Sequence, residues 1–247
     1  MTVKKAYQTL IITVIFMMLT IIFYALNVTR LVLPWAMVGF VIAMLVSIGS
    51  VVLSIKEVKH QRDISAGFWA KWRFEILDWF TFLSISMMGI FLVFMFIVLP
   101  SVVKYSSMSP TLEEGHRVLI YHFQYEPENQ DVVIVKIDEE TYYIKRIQAV
   151  PGDTIRFYDM GNHLYRVQIN GEFPKSPLDL FYEIDELGKA KIEETLEDEK
   201  LIENYFLVFG DNANNSIDSR SSDIGAIHHD NIVGKAVFRI WPIGGIR

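Results

Sequence analysis

The chain contains no cysteine. Disulfides are therefore excluded, together with thiol nucleophiles and cysteine metal sites. Charge is missing over long stretches as well: residues 6–29, 31–55 and 79–103 hold no Asp, Glu, Lys or Arg. Such runs exclude an ordinary soluble domain, because the rest of the chain is too short to cover them. Each is long enough, at roughly 20 residues per helical span, to cross a hydrocarbon core. Basic charge is scarce in the second part of the chain. Up to Pro100 there are eight basic and four acidic residues, a balance of +4, whereas after it fifteen basic and twenty-five acidic residues leave −10. Two compositions this different imply two environments.

Three spans are expected, the first two joined by the short link from Asn27 to Arg30. Orientation follows from the lysines and arginines in short flanks. Lys4 and Lys5 precede the first span, and Lys56, Lys59, Arg62, Lys71 and Arg73 lie between the second and third, while Arg30 stands alone in the hairpin. The basic flanks go to the cytoplasmic side. The N-terminus is then inside, and the third span emerges outside. The first span is too long, and too well followed by others, to read as a cleaved signal peptide. The expected organisation is a two-span hairpin with a cytoplasmic loop (1–77), a membrane anchor (78–103) and an extracytoplasmic domain (104–247).

In that domain the texture changes to short stretches of period two: residues 117–121, 131–137, 141–150, 154–158, 163–169, 205–209 and 232–241. Turn signals separate them, among them Pro151-Gly152-Asp153, Gly161-Asn162, Asn170-Gly171 and Gly210-Asp211-Asn212. The expected fold is transmembrane α-helices followed by a mainly antiparallel β domain. Residues 187–204 differ, being acidic with sparse apolar positions at helix-compatible spacing, and read as a surface insertion or short helix.

Three clusters carry candidate chemistry. Ser101, Ser106, Ser107 and Ser109 lie just past the third span, in the run YSSMSPTLEEG. Residue types alone fit a polar exit from the membrane, but Pro110 shapes the loop, and Met108 either dips into the membrane surface or packs under the sheet. A serine nucleophile needs a base. His116, His122, His163, His228 and His229 show no partner constellation. The strand TYYIKRIQAV supplies a lysine instead. Alternation puts Tyr143, Lys145, Ile147 and Ala149 on one face and Ile144, Arg146 and Gln148 on the other. Lys145 is thus either a snorkelling lysine on an edge strand or a buried amine whose pKa falls toward the catalytic range. Arg146 cannot act as a base, since arginine stays protonated. The third cluster is GDNANNSIDSR, residues 210–220, a plain turn or an internally hydrogen-bonded loop in which Asp218 and Arg220 could pair and Ser216 could orient an amine.

Taken in order, these segments resemble the bacterial type I signal peptidases, membrane-bound serine proteases that remove signal peptides from exported proteins. SMSPTL (107–112) is similar to the nucleophile segment, KRIQAVPGD (145–153) to the general-base segment, and GDNANNSIDSR to the late motif, with KAVFRIWP (235–242) closing the resemblance. The resemblance implies Ser107 as nucleophile and Lys145 as base. It also implies that Ser216 hydrogen-bonds the lysine, that Asp218 and Arg220 brace the site, and that no metal or cofactor takes part. Departures stand beside it. Tyr105 lies two residues before Ser107, where the family often has serine or glycine, so Tyr105 and the Ser107 backbone N–H are both candidates for the oxyanion hole. Ala213 replaces a common arginine, Gln130 precedes Asp131 where glycine is common, and three spans exceed the usual one or two.

The substrates implied are preproteins with small residues one and three positions before the cut, bound as an added strand. The bilayer is the implied surroundings, the translocation machinery a candidate partner, and nucleic acid none. The implied location is the cytoplasmic membrane of a bacterium. A processing protease with one dedicated partner, or a binding module that has lost activity, are the rival readings.

Overall fold

The structure is a computed structural model that describes residues 96–246 continuously, together with ten isolated helical positions between Leu45 and Val93. Contacts divide the chain into two units, Met1–Ile97 and Val98–Arg247. The spans expected over 6–29 and 31–55, and most of the one over 79–103, lie outside the continuously described residues. Among the described residues no helix is long and apolar enough to cross a membrane.

The second unit is built on one antiparallel sheet. Its strands are β1 (Val98–Val102), β2 (Arg117–Tyr121), β3 (Val132–Lys136), β4 (Tyr142–Ala149), β10 (Tyr205–Phe209), β11 (Ile227–His228) and β12 (Ile232–Trp241), with the two-residue β13 (Gly244–Gly245) paired to β12. The spatial order is β1-β2-β12-β3-β4-β10-β11. A second sheet pairs β5 (Ile155–Asp159), β6 (Leu164–Ile169) and β7 (Glu183–Asp185), and β8 (Leu196–Glu197) with β9 (Lys200–Leu201) forms a small hairpin. The large sheet curls because its register slips along β12, once before Gly234 and twice after Ala236, and once more in β10 between Leu207 and Val208. Each slip is a bulge that bends its strand. Gly234 is required at one of them, since a Cβ there would overlap the Tyr121 carbonyl oxygen and crowd His122.

Alternation along β10 feeds two cores. Leu207 and Phe209 pack with Ile155, Val167, Tyr182 and Ile192 on the side of the second sheet. Phe206 and Val208 pack with Val133, Val135, Ile147 and Ile232 on the other. A strand with both faces covered has no solvent face left, and the chain stays buried through Gly210 and Asp211 before Asn214 and Asn215 reach the surface.

Two boundaries differ from expectation. The membrane anchor was expected to run to Val103, but Val98–Val102 is a strand in register with Arg117–Tyr121. Helix is unfavourable there, because Pro100 lacks an N–H and clashes with the preceding turn, and on the sheet edge the missing donor costs nothing. The acidic block expected as a surface insertion over 187–204 divides into helix α1 (Glu186–Glu193) and the β8–β9 hairpin. It is more than a solvated face, since Ile192 and Leu201 are buried in the core. Asp185 caps α1 by accepting the Gly188 N–H at 2.7 Å.

Candidate active site

The Ser107 segment is a compact loop between β1 and β2. Met108 and Leu112 are its anchors, 1% and 0% exposed, so of the two placements open to Met108 the structure has it buried. Short-range bonds hold the loop: the Ser109 N–H donates to the Ser106 carbonyl at 3.0 Å and the Leu112 N–H to the Met108 carbonyl at 2.9 Å. Ser107 is left to face β4.

On β4, Lys145 is 3% exposed. Its Nζ lies 2.7 Å from Ser107 Oγ and donates to the Ile144 carbonyl at 3.1 Å. It stands 5.0 Å from the centre of the Tyr143 ring on the same strand face. Burial is the main influence on this amine and holds its pKa down at about 8 from the ordinary 10.5; Asp218 pulls it up, Arg220 pulls it down, and Asp211 pulls it up. A neutral amine within hydrogen-bond reach of a serine hydroxyl is the pairing that activates a nucleophile. The depressed pKa also carries a stability cost. Between about 8 and 10.5 the unfolded chain binds more protons than the native one, so stability rises with pH across that window. The cost is fully present below pH 8. Lys145→Met is therefore expected to be more stable than wild type by roughly 2–3 kcal/mol at pH 7. The gain should shrink as pH rises from about 8 and approach zero above 10.5, as thermal melts of detergent-solubilised protein across pH will read.

The loop after β10 supplies the supports. Asp218, with no exposed side-chain surface, receives Arg220 through two bonds, Nε at 2.9 Å and Nη2 at 2.8 Å. It also accepts the Gly210 N–H at 2.8 Å. Arg220 Nη1 donates to the carbonyl of Ala213 at 2.9 Å, the position at which this sequence lacks the family's common arginine. Gly210 itself is pinched, because a Cβ there would overlap Ser216 Oγ and crowd the Ser107 carbonyl. Ser216 thus lies beside the site, but its Oγ is buried without a hydrogen-bond partner; the Ser216–lysine bond expected from the resemblance is not among the contacts of Lys145. Tyr105 is 72% exposed, so its side chain stands largely in solvent.

Sequence reasoning missed the residue that ties the three segments together. Asp211, fully buried, receives Arg146 through Nε at 2.8 Å and Nη2 at 2.7 Å, and the Thr111 hydroxyl donates to the same carboxylate. One side chain thus clamps the serine loop, the lysine strand and the late loop. The neighbouring Asn212 adds its backbone N–H to the Ser107 carbonyl at 3.0 Å and its side-chain amide to the Ser106 carbonyl at 3.2 Å, while the Asn215 amide donates to Ser106 Oγ at 3.2 Å. The available signal was Arg146 itself. An arginine inside a largely apolar strand is a candidate for burial, and a buried guanidinium is paired.

Comparisons with known proteins point to one family. The family model described as signal peptidase, peptidase S26 matches residues 76–241. A signal peptidase IB of Staphylococcus aureus is 33% identical over 179 residues, covering 68% of this chain and 91% of its own. A signal peptidase I of Bacillus licheniformis is 30% identical over 179 residues, covering 70% and 92%. A crystal structure of a signal peptidase I from Enterococcus faecalis is 19% identical, covers 45% of this chain and 97% of its own, and has a TM-score of 0.28, a likeness too weak to add to these. With the family model spanning most of the described domain and the relatives matched over nearly their whole length, the chain belongs to the signal peptidase family, peptidase S26.

Proposed function

We propose that this hydrolase is a serine endopeptidase that removes N-terminal signal peptides from exported preproteins at the outer face of the cytoplasmic membrane, with Ser107 as nucleophile and Lys145 as general base. The observation that carries the reading is the 2.7 Å separation between Ser107 Oγ and the buried Lys145 Nζ. In this mechanism the neutral amine accepts the hydroxyl proton as Oγ attacks the scissile carbonyl. The oxyanion forms against backbone N–H groups, that of Ser107 being the nearest candidate. The resulting ammonium returns a proton to the leaving amine. The freed amine then activates the water that hydrolyses the acyl-enzyme. Asp218 and Arg220 brace the late loop around the dyad.

Placement at a membrane surface is supported by the outer end of the sheet. Val102, Arg117 and Trp241 form one cross-strand row. Val102 is 53%, Trp241 66% and Ile243 77% exposed. A cluster of exposed apolar and aromatic side chains is what an interfacial face presents. Three spans with the N-terminus inside, the basic flanks in the cytoplasm and the catalytic domain outside remain the topology proposed from the charge pattern, and the first 77 residues are proposed as a hairpin added to the family's anchor.

The test is a preprotein with an Ala-x-Ala cleavage site, offered to the full chain in detergent. Release of the mature protein is expected, with the cut placed immediately after the second alanine. A bulky residue at that alanine should block it. Because only the neutral lysine can accept the proton, kcat/KM is expected to rise with pH and level off above about 8. A profile flat from pH 6 to 10 would remove Lys145 as the base.

A further inference from the structure

The late loop does not hold Arg220 alone. Helix α1 meets it edge-on. Gly188, in the first turn of α1, is buried, and a Cβ there would overlap the Arg220 carbonyl oxygen and crowd Ile184 Cγ1 at 2.9 Å. No positive φ is involved, so the requirement for glycine comes from the closeness of the two backbones. Above the same residue, the guanidinium carbon lies 5.2 Å from the centre of the Tyr182 ring and 5.5 Å from that of Phe209. Those two rings pack against each other at 4.9 Å, and Arg220 Nη1 reaches the Glu183 carbonyl at 3.4 Å. Glu183 begins β7 and Tyr182 directly precedes it, and the Tyr182 carbonyl accepts the Val167 N–H of β6. Every one of these contacts comes from the second sheet, its helix or the strand they share a core with.

We infer that Gly188 and Tyr182 are positioning residues: the α1–β7 corner holds the Arg220 guanidinium on Asp218 and thereby sets the protonation of the catalytic amine. The inference rests on the Ser107–Lys145 reading given above. The charged and titratable groups facing Lys145 are Asp218, Arg220 and Asp211 from the late loop, the Tyr143 ring from its own strand, and the Ser107 hydroxyl. Asp218 favours the ammonium and Arg220 opposes it. Asp218 is fixed independently by the Gly210 N–H. A guanidinium pushed off Asp218 therefore leaves the carboxylate in place but less neutralised, and the ammonium form gains. Stacking of a guanidinium on an aromatic face adds a cation–π attraction that a leucine cannot replace.

The experiment measures kcat/KM against pH for the full chain in detergent, with Gly188→Ala, Tyr182→Leu and, as a control on the same helix, Leu187→Ala, whose side chain is 69% exposed. Gly188→Ala is expected to move the acid limb upward by about one pH unit, which is near a tenfold loss at pH 7 with the alkaline plateau kept within about threefold. Tyr182→Leu should move it in the same direction, and Leu187→Ala should leave it in place. Melting temperatures are taken alongside, and Tyr182→Leu carries the test should Gly188→Ala not fold. A lower plateau or melting temperature with an unmoved limb would mean that the corner only supports the fold, and the inference would be overturned. Failure of the underlying reading looks different, since wild type itself would then show no acid limb near pH 8.

Discussion

Ser107→Ala is expected to fold normally and to lose cleavage by roughly 10⁴–10⁶-fold, the scale on which serine proteases respond to loss of the nucleophile. Lys145→Ala should fall by a similar factor, for a different reason. The serine remains, but it loses Lys145 Nζ, the basic group hydrogen-bonded to its Oγ at 2.7 Å among the described residues, while Arg146 is held by Asp211 and stays protonated. Because the two act as one unit, the double variant should be no slower than either single one. Single-turnover cleavage of a preprotein, scored at the alkaline plateau so that protonation does not enter, separates this from a general loss of fold. Retention of more than about a tenth of wild-type activity by Lys145→Ala would move the base elsewhere.

The second large effect is on stability. Asp211→Ala removes the carboxylate that takes two bonds from Arg146, in a pair whose side chains are 0% and 9% exposed. The guanidinium would stay buried, keeping its bond to the Gln130 carbonyl but losing the carboxylate that accepts two of its N–H groups. Breaking a buried pair from one side costs about 3–5 kcal/mol, whereas replacing both partners with apolar groups of similar size is often near neutral. Chemical denaturation of the full chain in detergent should therefore show Asp211→Ala destabilised by that amount and Arg146→Met/Asp211→Leu recovering most of it. Activity should not recover with stability, because the double variant still lacks the acceptor for the Thr111 hydroxyl that ties down the serine loop. A single variant within about 1 kcal/mol of wild type would mean that the pair is not the clamp described.

Clear alternation bracketed by turn residues made part of the fold readable. The strands at 117–121, 205–209 and 232–241 begin and end where the sequence reading puts them, since turn-forming residues such as Gly115, Asn204, Gly210, Asn231 and Pro242 stand at or beside their ends. β1 was hidden because apolar residues run without a break from the anchor into it, and hydropathy does not distinguish the end of a helix from an edge strand. β7, three residues long, and the two-residue strands β8, β9, β11 and β13 carry too few positions to show any period.

By itself the sequence determined the change of composition near Pro100, the antiparallel β class of the domain beyond it, and the residue types available for chemistry, because charge and period are properties of neighbours along the chain. It nominated Ser107 and Lys145 through local motifs. What only the tertiary structure decided is which distant groups meet. The 2.7 Å approach of Ser107 to Lys145, the Asp211 clamp across three loops and the seat of Arg220 on Gly188 and Tyr182 join positions far apart in sequence. The lysine's lowered pKa belongs with them. It arises from the removal of water, and the removal of water depends on how the sheet curls and not on which residue stands next to which.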